Sequence, residues 1–374
     1  MKILYLCTFY HEALLYKQQK DALTKRGNTV KVFNSVKVGA EVADKFKDAI
    51  ADEDVVHEEV WNKYDRQLFF PRQLKTEKAL LKSYNPKNFD LMHAHLMVGS
   101  GYVARRIKKK YGLKYVVSCR VTDLIGFIKL PFFHGLAVKN AKEASGILFL
   151  SRSHMNEFFE KFVPEKDREE LEKKSVVIGN PLEKFWEEHT AEPRTSFCEE
   201  NKVHILLVGR INKVKRIPNA IEAVRILRNK GIDADLTVVG AVEDKEELEK
   251  ISNIDFVKIL PFMKPQELIK VYEANDIFLL PSKVETFGRV YVEAMSQGLP
   301  VIYSRGQGFD KVKPEGTIGY SVDCEDVKEI AEKLEFAIKN HTKLSANAVE
   351  TAKEFYEDAI IDKIEKFYND SLNR

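Results

Sequence analysis

Short apolar runs rich in Val, Ile and Leu alternate with longer amphipathic stretches along the whole chain, and this alternation admits few architectures. A strand that is apolar on both faces belongs inside a parallel sheet, and parallel neighbours need a crossover long enough to hold a helix. In the first half such runs fall at 3–7, 29–33, 91–94, 115–118, 146–150 and 175–178. Between them the pattern predicts helices, one over 16–26 closed by Gly27, and one from about 99 that ends in Arg105-Arg106-Ile107-Lys108-Lys109-Lys110, cations suited to the negative end of a helix dipole. Gly179-Asn180-Pro181 breaks the rhythm, and 183–193 reads as a connection. The rhythm then restarts with strands at 203–208, 235–239, 256–259, 277–280, 301–302 and 319–322, helices at 218–230, 265–274 and 290–297, and one long amphipathic helix from about 344 to the end. The fold class is α/β: two Rossmann-like, doubly wound domains expected to face each other across a cleft, a division that 374 residues can fill.

Composition narrows the function classes. With 44% hydrophobic and 31% charged residues the chain has material for packed cores. No apolar run approaches the ~20 residues of a membrane-spanning helix, and the first residues read as a strand with no signal-peptide pattern ahead of it. The four cysteines, Cys7, Cys119, Cys198 and Cys324, form no C-x-x-C pair, so neither a zinc knuckle nor a disulfide framework is expected, and a reducing cytoplasm suits them. The net charge of +3 hides an asymmetry: residues 1–185 carry 33 Lys and Arg against 23 Asp and Glu, the rest 27 against 34. A basic first half can steer an anionic acceptor or rest against anionic lipid headgroups; solvated helix faces are the plainer reading.

Two segments of the second half carry chemistry. In Pro281-Ser282-Lys283-Val284-Glu285-Thr286-Phe287-Gly288-Arg289 a buried strand empties into a turn, and Gly288 precedes a new helix. Free N–H groups at such a helix start cradle a diphosphate. Glu285 and Glu293 bracket that cradle, and carboxylates accept hydrogen bonds from neutral hydroxyls, so the pair can hold a sugar ring and a ribose on either side. The second segment, Val208-Gly209-Arg210-Ile211-Asn212-Lys213-Val214-Lys215-Arg216, is a cationic loop between a strand and a helix. Cations there can stabilise a negatively charged leaving group, with Arg210 and Lys215 as the best candidates. A solvated basic loop and unrelated surface glutamates are the alternative readings.

In these segments and others, the chain resembles the retaining glycosyltransferases of family 4, which adopt the GT-B architecture. The resemblance rests on Asp90-Leu91-Met92-His93-Ala94-His95 with Gly99, Ser151-Arg152-Ser153, Val177-Ile178-Gly179-Asn180-Pro181, the Gly209–Lys215 loop, and above all Glu285-Thr286-Phe287-Gly288 to Glu293-Ala294-Met295 and Gly298-Leu299-Pro300-Val301. It implies an N-terminal acceptor domain over 1–185, joined by the C-terminal helix at about 355–374, and a donor domain over 186–354. It implies that Arg210 and Lys215 contact the donor diphosphate and act with Glu285 in catalysis. Glu293 would bind the ribose, Glu285 with the backbone of Phe287 and Gly288 would position the transferred sugar, and Thr286, Arg289 and Val290 would complete the donor site. Phe262 would lie near the base. Tyr10, His11, Arg120 and Asp123 would line the acceptor side. The implied reaction moves a hexosyl group from a nucleotide-sugar, with uridine the favoured base, onto a glycan or lipid-linked acceptor in cell-surface polysaccharide or glycoconjugate assembly. It proceeds with retention, without metal or other cofactor, in the cytoplasm or at the inner membrane face.

Departures bear on the substrate. Arg120-Val121-Thr122-Asp123 stands where the family often has a histidine, and its arginine can read an anionic group bidentately or pair with a neighbouring acid. Thr8-Phe9-Tyr10-His11-Glu12 replaces a glycine-rich loop, Pro181 stiffens the connection, and only Gly240-Ala241 remains of a glycine pair. Asp233-Ala234-Asp235 has a metal–diphosphate spacing but falls at the opposite end of the sheet, and His93 and His95 lack a third ligand. Trp61 and residues 64–70 form an aromatic patch that suits lipid, acceptor or core. A nucleic-acid binder lacks interleaved aromatics and cations. A non-catalytic nucleotide-sugar-binding subunit of a two-protein transferase and a nucleotide-sugar epimerase are the remaining alternatives.

Overall fold

The computed structural model describes the chain except residues 66, 67, 127 and 129 and the side chain of Lys45. Two of these, 66 and 67, belong to the aromatic patch over 64–70, so that part of the patch lies outside the described residues. The chain divides into two compact units. Unit 1 comprises Met1–Leu150, His154–Ile178 and Ile360–Arg374; unit 2 comprises Ser151–Ser153 and Gly179–Ala359.

Unit 1 holds seven strands: β1 (Lys2–Leu6), β2 (Thr29–Lys37), β3 (Val55–Trp61), β4 (Leu91–Ala94), β5 (Lys114–Cys119), β6 (Gly146–Phe149) and β7 (Ser175–Val177). They pair in parallel in the order β3-β2-β1-β4-β5-β6-β7. The expected six strands are all present, and β3 is an addition. Its sequence, VVHEEVW, offers few apolar residues after the first two. As an edge strand it is only half-buried, so no continuous apolar run marks it. The core is built from the sheet's buried side chains, among them Leu4, Leu6, Phe33, Met92, Tyr115, Val117, Ile147 and Phe149. Residues of the Glu357–Leu372 helix complete it from Ile360 onward. A Cβ on Gly146 would stand 2.4 Å from Ser371 Oγ and 2.5 Å from the Phe367 ring, so β6 meets that helix at near-backbone distance.

Unit 2 holds β8 (Val203–Val208), β9 (Ala234–Val239), β10 (Val257–Leu260), β11 (Ile277–Leu280), β12 (Val301–Ser304) and β13 (Gly319–Val322). These are again all parallel, in the order β10-β9-β8-β11-β12-β13. β8, β11 and β12 are apolar almost throughout and lie inside the sheet. The long helix expected from about 344 to the end is instead two, His341–Lys353 and Glu357–Leu372. The break has a local cause. Phe355 N and Tyr356 N bond back to Ala352 O and Lys353 O in tight turns, and Phe355 O accepts from Leu182 N at 2.7 Å. Its ring packs 5.5 Å from that of Phe287, and the apolar periodicity continues across the gap without revealing the turn.

Candidate functional site

In a doubly wound sheet, ligands gather beyond the carboxyl ends of the strands where strand order reverses. In unit 2 that point lies between β8 and β11, paired as Ile205 with Ile277 and Leu206 with Phe278. The two loops that leave them, 209–216 and 281–288, therefore start side by side, and Lys283 N donates to Val214 O at 2.8 Å to tie them together. The sequence-predicted cationic loop and glutamate loop thus meet.

Asn212 shapes the first loop by accepting from Val214 N with its side chain, which winds Lys213–Lys215 into a single tight turn. Arg216 follows at φ 52°, and the Ile217–Asn229 helix begins with Pro218 in its first turn. The turn carries the Lys215 side chain inward. Its Nζ lies 2.9 Å from Glu285 Oε2 and 3.4 Å from Ser282 Oγ. Both members of the Lys215–Glu285 pair are largely buried, 14% and 15% exposed in their side chains. Removing one member of so shielded a pair leaves the other charge uncompensated. Arg210 stands at the rim, mostly exposed, and donates to Glu243 Oε1 at 2.6 Å, while Asn212 Nδ2 donates to Glu243 Oε2 at 2.7 Å.

The glutamate loop is fixed by its own backbone. Glu285 N donates to Gln307 Oε1 at 3.1 Å, Thr286 N donates to Glu285 Oε1 at 3.1 Å, and Gly308 N donates to Glu285 O at 3.0 Å. A Cβ on Gly308 would lie 2.1 Å from Thr286 O, so only glycine lets the strand-β12 loop lie this close. Gly288 takes φ 82° in the left-handed region and caps the Arg289–Ser296 helix. Tyr291 N bonds back to Gly288 O at 3.0 Å, while Arg289 N and Val290 N, at the very start of the helix, have no acceptor within it. Phe287 turns inward and is buried against Phe309 and Phe355, leaving its backbone at the site. Arg289 pairs with Glu183 at 2.5 Å, and Val290 is half-buried beside it.

Glu293 sits one turn into the helix. Tyr272 Oη donates to its Oε2 at 3.5 Å. Burial pushes its carboxyl up to about 7, against the pull of Arg289 and with the push of Glu183. Phe262, in the loop after β10, is 70% exposed. The site also includes Ser282, Gln307, Gly308 and Glu243, which the sequence reading passed over. Gly306-Gln307-Gly308 directly after a strand was the signal available for two of them.

Unit 1 reverses strand order between β1 and β4. Tyr10, in the turn after β1, is fully buried, and its Oη has no hydrogen-bond partner among the described residues. His11 is buried too; in the amide orientation that satisfies Asn34, Oδ1 accepts from His11 Nδ1 at 3.2 Å and from His57 Nδ1 at 2.8 Å, while Nδ2 donates to Cys7 O at 2.9 Å. Asp123 is buried and accepts from Met97 N, Val98 N and Arg120 N at 3.0, 3.1 and 3.1 Å. Its burial outweighs these bonds and pushes the carboxyl up to about 6. Asp123 therefore braces the turn that leads from β4 into the Gly99–Tyr111 helix. His93 bridges Tyr368 Oη and Ser118 Oγ, each at 2.7 Å, and stacks on His95 at 3.9 Å. Burial, then the Arg120 charge, holds His93 down to about 3, so it is a neutral packing residue.

Asp233 and Asp235 are engaged at the other end of the unit 2 sheet, Asp233 with Arg228 and Asp235 with Lys202 and His204. Among the described residues no three His, Cys, Asp or Glu side chains come together as a metal-binding group, and no helix is long and apolar enough to cross a membrane.

Against known proteins, residues 189–355 match the family "Glycosyl transferases group 1". The chain is 24% identical over 327 residues to N-acetyl-alpha-D-glucosaminyl L-malate synthase of Bacillus anthracis, covering 84% of each chain. It is 30% identical over 177 residues to D-inositol 3-phosphate glycosyltransferase of Corynebacterium diphtheriae, which spans 44% of this chain and 42% of that one. Among solved structures it is similar to Anabaena HepE in complex with UDP, with a TM-score of 0.72 at 19% identity over 99% of this chain and 100% of the other.

Proposed function

We propose that this chain, whose residues 189–355 match the group 1 glycosyltransferases and whose fold is that of GT-B proteins, is a retaining hexosyltransferase that takes its sugar from a UDP-sugar and passes it to a hydroxyl of a glycan or lipid-linked acceptor. The observation that carries this reading is the shielded Lys215–Glu285 pair at the unit 2 switch point, beside the open start of the Arg289–Ser296 helix. A diphosphate seated on those helix N–H groups comes within reach of the Lys215 ammonium, and Arg210 can turn from Glu243 to meet it. Lys215 then exchanges one anion for another, so little desolvation is added when the leaving group's charge develops. Glu285, with one oxygen on Lys215 and the other on Thr286 N, has lone pairs left for sugar hydroxyls. Glu293 is placed for a ribose.

In this reading the departing diphosphate oxygen takes the acceptor proton as the acceptor attacks the same face, and neither a protein nucleophile nor a metal has a part. The name of the Bacillus anthracis relative supports transfer of a sugar, and the UDP complex of the Anabaena structure supports a uridine nucleotide on the donor. The test is transfer and donor hydrolysis with a UDP-sugar panel, in chelator, with the product anomer read by NMR. Turnover with retained configuration is expected; binding without turnover under any acceptor favours a non-catalytic subunit.

We further propose that unit 1 rests against an anionic membrane face. Leu68, Phe70, Leu74, Leu130 and Phe132 are exposed, and the rings of Phe70 and Phe132 lie 5.8 Å apart. The Gly99–Tyr111 helix brings Lys108, Lys109 and Lys110 to the same unit. Exposed aromatics with nearby cations suit anionic headgroups. Flotation with phosphatidylglycerol vesicles but not with phosphatidylcholine vesicles is expected, and loss on Phe132→Asp.

A further inference from the structure

At the carboxyl end of the unit 1 sheet, Arg120 follows directly on β5. Its guanidinium lies 5.2 Å from the centroid of the Tyr16 ring, and Tyr16 packs 5.2 Å from His95, which stacks on His93. Its Nε is buried and has no hydrogen-bond partner, and among the described residues no carboxylate lies within ion-pair distance of it. The nearest acid in sequence, Asp123, feels the Arg120 charge but makes no ion-pair contact with it: its carboxylate is committed to three backbone N–H groups, and burial pushes it up to about 6. The other groups around it cannot compensate its charge either. His93 and His95 are neutral, Tyr5, Tyr16 and Tyr368 are phenols held protonated by burial, and Cys7 is a thiol pushed up to about 12. Both ring nitrogens of His95 and the hydroxyl of Tyr10 are likewise buried without partners among the described residues.

A partly buried cation without a counter-charge is costly, and a rigid fork of N–H donors is the group best matched to a carboxylate or a phosphate. By contrast, the cations at the unit 2 switch point, Arg210, Lys215 and Arg289, each have a carboxylate partner. We propose that Arg120 reads an anionic group, a carboxylate or phosphate, carried by one of the two substrates of the transfer reaction proposed above, on which this inference rests. Tyr16 supports the flat face of the guanidinium and leaves its edge for the ligand.

Two arms of one calorimetric experiment on the whole chain distinguish the sources. In the donor arm, UDP-glucuronate is compared with UDP-glucose. In the acceptor arm, with UDP saturating the unit 2 site, glucuronate and glucose 6-phosphate are compared with glucose. Wild type is expected to prefer the anionic member of one arm by about ten- to hundredfold, the range of a charge-assisted hydrogen-bonded pair. Arg120→Met should bring that preference to near unity, and Arg120→Lys should keep only part of it, since an ammonium lacks the fork. Binding of UDP itself should be equal in all three proteins, which also shows that the variants are folded. No anion preference in either arm of the wild type, or a preference that survives Arg120→Met, overturns the inference. Failure of UDP to bind any of the three proteins instead overturns the donor reading.

Discussion

At the switch point of unit 2, between β8 and β11, the charged side chains are opposed in pairs and held by loop backbone, whereas at that of unit 1, between β1 and β4, the imidazoles are buried, stacked and neutral. Both sheets are parallel and each reverses order once, so topology provides the same crevice twice. The content of the loops decides what each can hold. Unit 2 offers two cations, two carboxylates and a helix start, groups that suit the proposed nucleotide-sugar. Unit 1 offers ring faces, unsatisfied nitrogens and hydroxyls, and one uncompensated arginine. A fold shared by two regions thus tells where a ligand sits, and only the side chains tell which.

The comparison breaks most readily at the unit 2 pair. Lys215→Ala and Glu285→Ala should each lower transfer by about 10²–10³ or more, the loss seen when one preorganised charge-stabilising group is removed, with unchanged circular dichroism. Near-normal turnover in both would move the chemistry elsewhere. Gly308→Val comes next: its side chain would collide with Thr286 O and push the glutamate loop outward. A stability loss of about 2–4 kcal/mol is expected from strain and overpacking, together with weakened donor binding in an equilibrium titration.

Glu293 sharpens the comparison through pH. Burial raises its carboxyl to about 7 in the folded protein, so the carboxylate proposed to accept from ribose hydroxyls appears only as pH rises through that value. UDP affinity should climb between pH 6 and 8 and be flat in Glu293→Gln. The same raised value means that the folded state holds this proton more tightly than the unfolded chain does. Its contribution to stability is therefore full below the ordinary carboxylate range and lost as pH rises through about 7, so the melting temperature of wild type should fall relative to Glu293→Gln over that span.

The smallest effect belongs to unit 1. Tyr368→Phe removes a hydroxyl that meets both His93 and Tyr5, at 2.7 and 3.1 Å, and should cost about 1–3 kcal/mol in denaturant unfolding while leaving UDP affinity untouched. A loss of UDP binding would show that the histidine cluster belongs to the donor site.

Much of this contrast was readable from residue order. Strands β8, β11 and β12 are apolar almost throughout, and the basic and acidic loops follow β8 and β11 directly, so their convergence was legible once the sheet order was assumed. β3 was not, because an edge strand has no need of apolar residues on both faces. The turn at Phe355 was not, because its cause is a hydrogen bond from Leu182, far away in sequence. The partners of the site residues were equally hidden. Nothing local says that Glu243 holds Arg210 or that Asp123 is consumed by the backbone of 97 and 98. Those contacts depend on distances between loops that periodicity does not encode.

A crystal structure of the protein with UDP examines the central claim most directly. The account predicts the diphosphate on the N–H groups that open the Arg289–Ser296 helix, with Lys215 Nζ and Arg210 within hydrogen-bonding distance and Glu293 on the ribose. Density for UDP away from β8 and β11, or a diphosphate that leaves Lys215 paired with Glu285 alone, would contradict it.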